Sequence, residues 1–162
     1  MRSAVLATCL LALAAGCAKG TLIFGVGPSS DTITVSGTIN NTTPVNATRD
    51  IVVFVYTDLA DPGTFSSFGD AESVVVAAGS TSFELSGVSP GDLTVVFLLD
   101  ESTPDGTIDP GDLYATLDDP SGFLESVPGN RRVELDAVDI VFEADADGGT
   151  ATADTIRVVS AE

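Results

Sequence analysis

The sequence predicts an all-β domain, an antiparallel β-sandwich of about seven strands. Three observations carry that expectation. Two runs, Ile51–Thr57 (IVVFVYT) and Leu93–Leu99 (LTVVFLL), are almost continuously apolar and rich in β-branched and aromatic residues. That is the composition of strands buried on both faces. Shorter segments alternate apolar with polar residues, as a half-buried strand requires. After the first twenty residues, no stretch keeps apolar residues at i, i+3, i+4 and i+7 for three turns, while glycine and proline punctuate the chain at short intervals.

Taken in order, Ile33, Val35 and Ile39 alternate with Thr34, Ser36 and Thr38 in the first strand, and Ile51–Thr57 forms a central one. Residues 73–78 and 81–86 flank Gly79-Ser80, a hairpin signal. Residues 87–92 (GVSPGD) read as a tight turn. Pro90 presets φ at one turn position and Gly91 accepts positive φ at the next, which is type II turn chemistry. Leu93–Leu99 is the second central strand. Residues 133–135 and 138–142 alternate on either side of a phase slip at Asp136-Ala137, where a bulge or turn is expected. Glu143-Ala144-Asp145-Ala146-Asp147-Gly148-Gly149 then reads as a hairpin turn into a last strand at 156–159, and Asp118-Asp119-Pro120 as a loop.

The N-terminus is of a different kind. Arg2, the apolar run from Ala4 to Ala15 and the small residues before Cys17 make a secretory signal, in a run too short to span a bilayer comfortably. Leu13-Ala14-Ala15-Gly16-Cys17 resembles the bacterial lipoprotein signal, with Ala14 at the place where leucine is usual. The resemblance implies cleavage before Cys17 and acylation of that cysteine. Residues 1–16 are then the signal peptide, 17–31 the lipidated cysteine and a short tether, within which the apolar run Thr21–Val26 reads alternatively as a first edge strand, and 32–162 the β-domain. Cys9 leaves with the signal, so no disulfide is expected. Several acyl chains hold a protein stably on a membrane. Ala18 and Lys19, with no aspartate after the cysteine, resemble outer-membrane rather than inner-membrane sorting in a cell with two membranes. The expected location is the cell envelope.

Composition narrows the function. The chain has 162 residues, enough for one domain with a packed core, and 44% of them are hydrophobic against 19% charged. The net charge is −18, and without Arg2 five basic residues face 24 acidic ones. Nucleic-acid binding needs a basic footprint, which is missing. Histidine and tryptophan are absent, which removes the commonest general base and metal ligand.

The strand–turn–strand passage Phe83-x-Leu85, Gly87, Pro90-Gly91, then Val95-Val96-Phe97, together with Ile51–Thr57, resembles the carboxypeptidase-regulatory and collagen-adhesin B-type domains. The resemblance implies a prealbumin-like or immunoglobulin-like sandwich. Some of those domains lock themselves with a lysine isopeptide bond. The single lysine here is Lys19, beside the anchor, so that crosslink is not expected. Leu93 stands where the family often has tyrosine.

One segment is equipped for metal chemistry. Counting Glu101 as position 1 of an EF-hand-type loop puts Thr103 at 3, Asp105 at 5, Gly106 at 6, Thr107 at 7, Asp109 at 9 and Asp112 at 12. The second half resembles the calcium loops of dockerin-type modules. The first half departs from them, with Glu for Asp, Thr for Asp or Asn, and Asp100 one residue early. Calcium takes six to eight oxygens and needs neither histidine nor cysteine. The two readings are a calcium site formed by Asp100, Glu101, Thr103, Asp105, Thr107, Asp109 and Asp112, or a solvated acidic turn.

The expected function is a lipid-anchored, non-catalytic envelope or cell-surface module that binds a protein or glycan, with calcium ordering its loops. Aromatics around Phe65, Phe68 and Tyr114 would favour ligand binding. A structural envelope lipoprotein without metal is the alternative. A carboxylate-only glycoside hydrolase is more remote, since two acidic residues suffice for that chemistry but sugar-stacking aromatics are few.

Overall fold

The computed structural model describes residues 31–40, 49–59, 71–99, 112–143 and 148–161. The described residues form eight strands: β1 (Ile33–Ile39), β2 (Ile51–Thr57), β3 (Glu72–Val76), β4 (Ser82–Val88), β5 (Leu93–Leu99), β6 (Leu113–Asp118), β7 (Arg131–Val141) and β8 (Gly149–Ser160). They contain no helix. The fold is all-β, with one strand more than expected. The strands join in a single sheet of order β3-β2-β5-β6-β8-β7-β1-β4. Neighbours are antiparallel except β1–β7 and β6–β8, which are parallel.

The sheet rolls onto itself. Phe83 of β4, at one end of the strand order, sets its ring edge-on to Phe97 of β5, with centroids 6.2 Å apart and planes at 78°. One buried cluster takes in Val35, Val53, Phe97, Leu117, Leu135 and Ala151, from six different strands. The short β6–β8 ladder ties the two facing halves together. The result is barrel-like, where two separate sheets were expected. Each large side chain in this core contributes about 1.5–3 kcal/mol relative to exposure.

β2 and β5 fulfil the expectation of central strands. Ile51, Val53, Val55, Val95, Phe97 and Leu99 face the main core, and the alternate residues Val52, Phe54, Tyr56, Val96 and Leu98 form a second buried cluster on the other face. Leu59, Ala71 and Tyr114 pack against that second cluster. The opposite half, β4-β1-β7-β8, is apolar mainly on its inward face. Its outer face carries Ser36, Glu84, Arg132, Glu134 and Arg157, and ion pairs run across the strands: Arg132 to Glu84 at 2.8 Å, and Arg157 to Glu134 at 3.0 Å and Asp136 at 3.1 Å.

Two turns differ from expectation. The turn at Gly79 exists, with the Ser80 N–H donating to the Ala77 carbonyl at 2.8 Å. The strands it joins are not a ladder, however, because β3 pairs with β2 and β4 with β1. Residues 87–92 are not one tight turn either. β4 continues through Gly87 (φ 91°) to Val88, and Gly87 is the extra residue where the register to β1 shifts. A positive φ there lets Phe83, Leu85 and Val88 all turn inward, which strict alternation forbids. Ser89 to Asp92 then crosses from one half of the sheet to the other, and Gly91 exchanges two backbone hydrogen bonds with Val127.

The phase slip at Asp136-Ala137 is present. β7 runs through it unbroken, with Ala137 at φ 49° and its N–H donated to Thr38 Oγ1 at 2.9 Å. The antiparallel hairpin expected between β7 and β8 is also present, and β8 is far longer than residues 156–159.

Candidate functional site

The strand register gives the molecule two ends. β1, β3, β5 and β7 finish where β2, β4, β6 and β8 begin. Linkers 41–50, 77–81, 100–112 and 142–148 therefore leave one end, which we call the tip. Residue 31, the end of β2 and the start of β3, residues 89–92 and 119–130, and residue 161 lie at the opposite end, the base.

Asp100, Glu101, Thr103, Asp105, Thr107 and Asp109 lie outside the described residues, as do Cys17, Phe65, Phe68, Asp145 and Asp147. Asp112 is described. It is half-buried and directly precedes β6, whose first residue, Leu113, pairs with Leu99. The described residues include no group of three or more acidic, cysteine or histidine side chains arranged to hold a metal.

The tip brings the anchors of two acidic segments together. β5 and β6 hold the ends of 100–112, and β7 and β8 hold the ends of 142–148. The parallel ladder begins at Ala115 opposite Gly149, so the two segments emerge from neighbouring strands. Tyr114 lies directly against Gly148, where any β-carbon would overlap its ring. These two segments carry five and three carboxylates. Tyr114 is thus a half-buried packing residue of a strand, set against Gly148 where the second segment rejoins the sheet.

Asp118 and Asp119, read from the sequence as a loop, lie too far from this tip to add a ligand there. They end β6 and Asp112 precedes it, so at about 3.3 Å per residue they stand roughly 20 Å away. Asp119 instead closes its own turn, its carboxylate accepting from the N–H groups of Ser121 at 3.1 Å and Leu124 at 2.8 Å.

At the base, short polar contacts bind three linkers. Asp58 Oδ1 accepts from the Asp92 N–H at 3.0 Å, and Asp92 Oδ1 accepts from the Ser126 N–H at 2.6 Å. Thr57 donates its hydroxyl to the Ser89 carbonyl at 3.0 Å. Asp58 and Ser126 both sit at positive φ, 54° and 50°. This clasp escaped sequence reading, because its members are distant in the chain and resemble ordinary turn residues.

The surface also holds shallow hollows. One of about 260 Å³ is lined by Ser36, Thr38, Glu134, Asp136 and Arg157 on the polar face. Another, of about 300 Å³, lies where Asp118, Pro120 and Phe123 approach Ala153, Asp154 and Ile156 of β8. Compared with protein-family models, curated proteins and solved structures, the chain matches none.

Proposed function

We propose that the chain is a lipid-anchored, non-catalytic module of the cell envelope that binds a protein or glycan partner, with calcium ordering its acidic tip. The observation that carries this reading is the pairing of β6 with the start of β8. It sets the anchors of residues 100–112 beside those of 142–148. Eight carboxylates in two adjacent linkers repel one another, by about 1 kcal/mol for each close pair in water. A divalent ion relieves that repulsion, and oxygen ligands alone suit calcium. The base receives the chain at residue 31, so a tether from Cys17 leads to the end opposite the tip. The tip then faces away from the membrane, where a partner can reach it.

A thermal melt with calcium, with magnesium and with chelator tests the metal. Calcium at a hundred times its dissociation constant adds about 2.7 kcal/mol, which raises the melting temperature by roughly 5–15 °C. Asp105→Asn with Asp109→Asn abolishes that rise if residues 100–112 form the site. Asp145→Asn with Asp147→Asn lowers it if the two segments share the ion. No rise at millimolar calcium removes the metal and leaves a structural envelope lipoprotein or a metal-free binder.

A further inference from the structure

We propose that the second edge of β8 over residues 153–160, which no described residue pairs, is a strand-addition site for an extended segment of a partner protein in which apolar and basic residues alternate. This rests on the reading of the chain as a binding module but not on calcium, and the two tests fail independently. β7 pairs with β8 from Thr150 to Ser160, whereas β6 pairs with it only from Gly149 to Thr152. After Asp118 the chain turns away, held by the Asp119 carboxylate on the Ser121 and Leu124 amides. Among the described residues, none pairs with the second edge of β8 over residues 153–160. An edge of that length presents a row of backbone donors and acceptors to any incoming strand.

The groove beside this edge states the chemistry of the occupant. Its floor is apolar, with Pro120, Ala153, Ile156 and a Phe123 that stands 53% exposed. Asp118 and Asp154, both exposed, flank it on a molecule of net charge −18. The only cation on this half of β8, Arg157, is engaged by Glu134 and Asp136 across β7. An added strand turns alternate side chains to opposite faces. One set then covers Phe123 and Ile156, and a basic set meets the two carboxylates. A second copy of this chain is disfavoured as occupant, since each copy brings the same negative charge.

The test titrates the full chain with a labelled seven-residue peptide alternating lysine and valine, read by fluorescence anisotropy and backbone amide exchange. We expect saturable binding that slows exchange within residues 153–160. Asp118→Lys with Asp154→Lys, both surface changes, weakens binding at least tenfold, and Phe123→Ala weakens it severalfold while leaving the fold intact. A glutamate–valine peptide does not bind. Four results overturn the proposal. These are no binding, equal binding of a lysine–serine peptide, slow exchange of residues 153–160 before peptide is added, and a dimer in sedimentation that hides the same edge. The second would mean charge attraction alone, the third that the chain itself covers the edge, and the fourth that a second copy is the occupant.

Discussion

Replacing Gly148 by alanine perturbs two things at once, and they can be separated. Gly148 has φ 72°, a left-handed conformation that costs an L-residue about 1–2 kcal/mol. Alanine also stiffens the unfolded chain, which returns about 0.4–1 kcal/mol. The new methyl overlaps the Tyr114 ring, and displacing a packed side chain costs about 1–3 kcal/mol. The sum is a loss of about 2–4 kcal/mol, or roughly 6–20 °C in melting temperature for a domain of this size. Urea unfolding of Gly148→Ala, Tyr114→Ala and the double variant closes the cycle. With the ring gone, Gly148→Ala should cost only about 1 kcal/mol, leaving a coupling of about 1–3 kcal/mol. Equal costs in the two backgrounds would refute the contact, and with it the packing of the two segments' anchors against each other.

Other outcomes follow from the same structure. Phe97→Ala, at a fully buried position against Phe83, should cost about 3–5 kcal/mol by chemical denaturation; a loss under 1 kcal/mol would contradict the rolled core. Ala137→Gly relieves a residue at φ 49° and should be neutral or stabilise by up to about 1 kcal/mol, whereas Ala137→Val should destabilise. Arg157→Ala should change stability by less than about 0.5 kcal/mol, because its side chain is 55% exposed and its ion pairs are screened; a larger loss, insensitive to salt, would mean that the pair is buried in solution.

The elements were legible where the chain is regular. Ile51–Thr57 and Leu93–Leu99 are found at the expected bounds, since strands buried on both faces leave continuous apolar runs. The slip at Ala137 was visible as a break in alternation. β6 escaped although Leu113, Ala115 and Leu117 alternate inward, because its remaining residues are polar and the acidic segment before it dominates the reading. The first half of β8 escaped for a similar reason: Gly149, Ala151 and Ala153 face inward, and such small residues give a weak apolar signal.

By itself the sequence determined the fold class, the central strands and the absence of a basic footprint. All of these depend on composition and on patterns spanning a few residues. Only the tertiary structure decided the partners of each strand. The turns at Gly79 and Pro90-Gly91 look like hairpins, yet β3 and β4 pair away from each other, and so do β4 and β5. The Asp58–Asp92–Ser126 clasp, the Tyr114 contact on Gly148 and the edge of β8 left unpaired among the described residues were likewise invisible in the chain. The physical reason is common to them. A strand's period says which face is buried, but its neighbour is chosen by the register and roll of the whole sheet, and these depend on residues far apart in sequence.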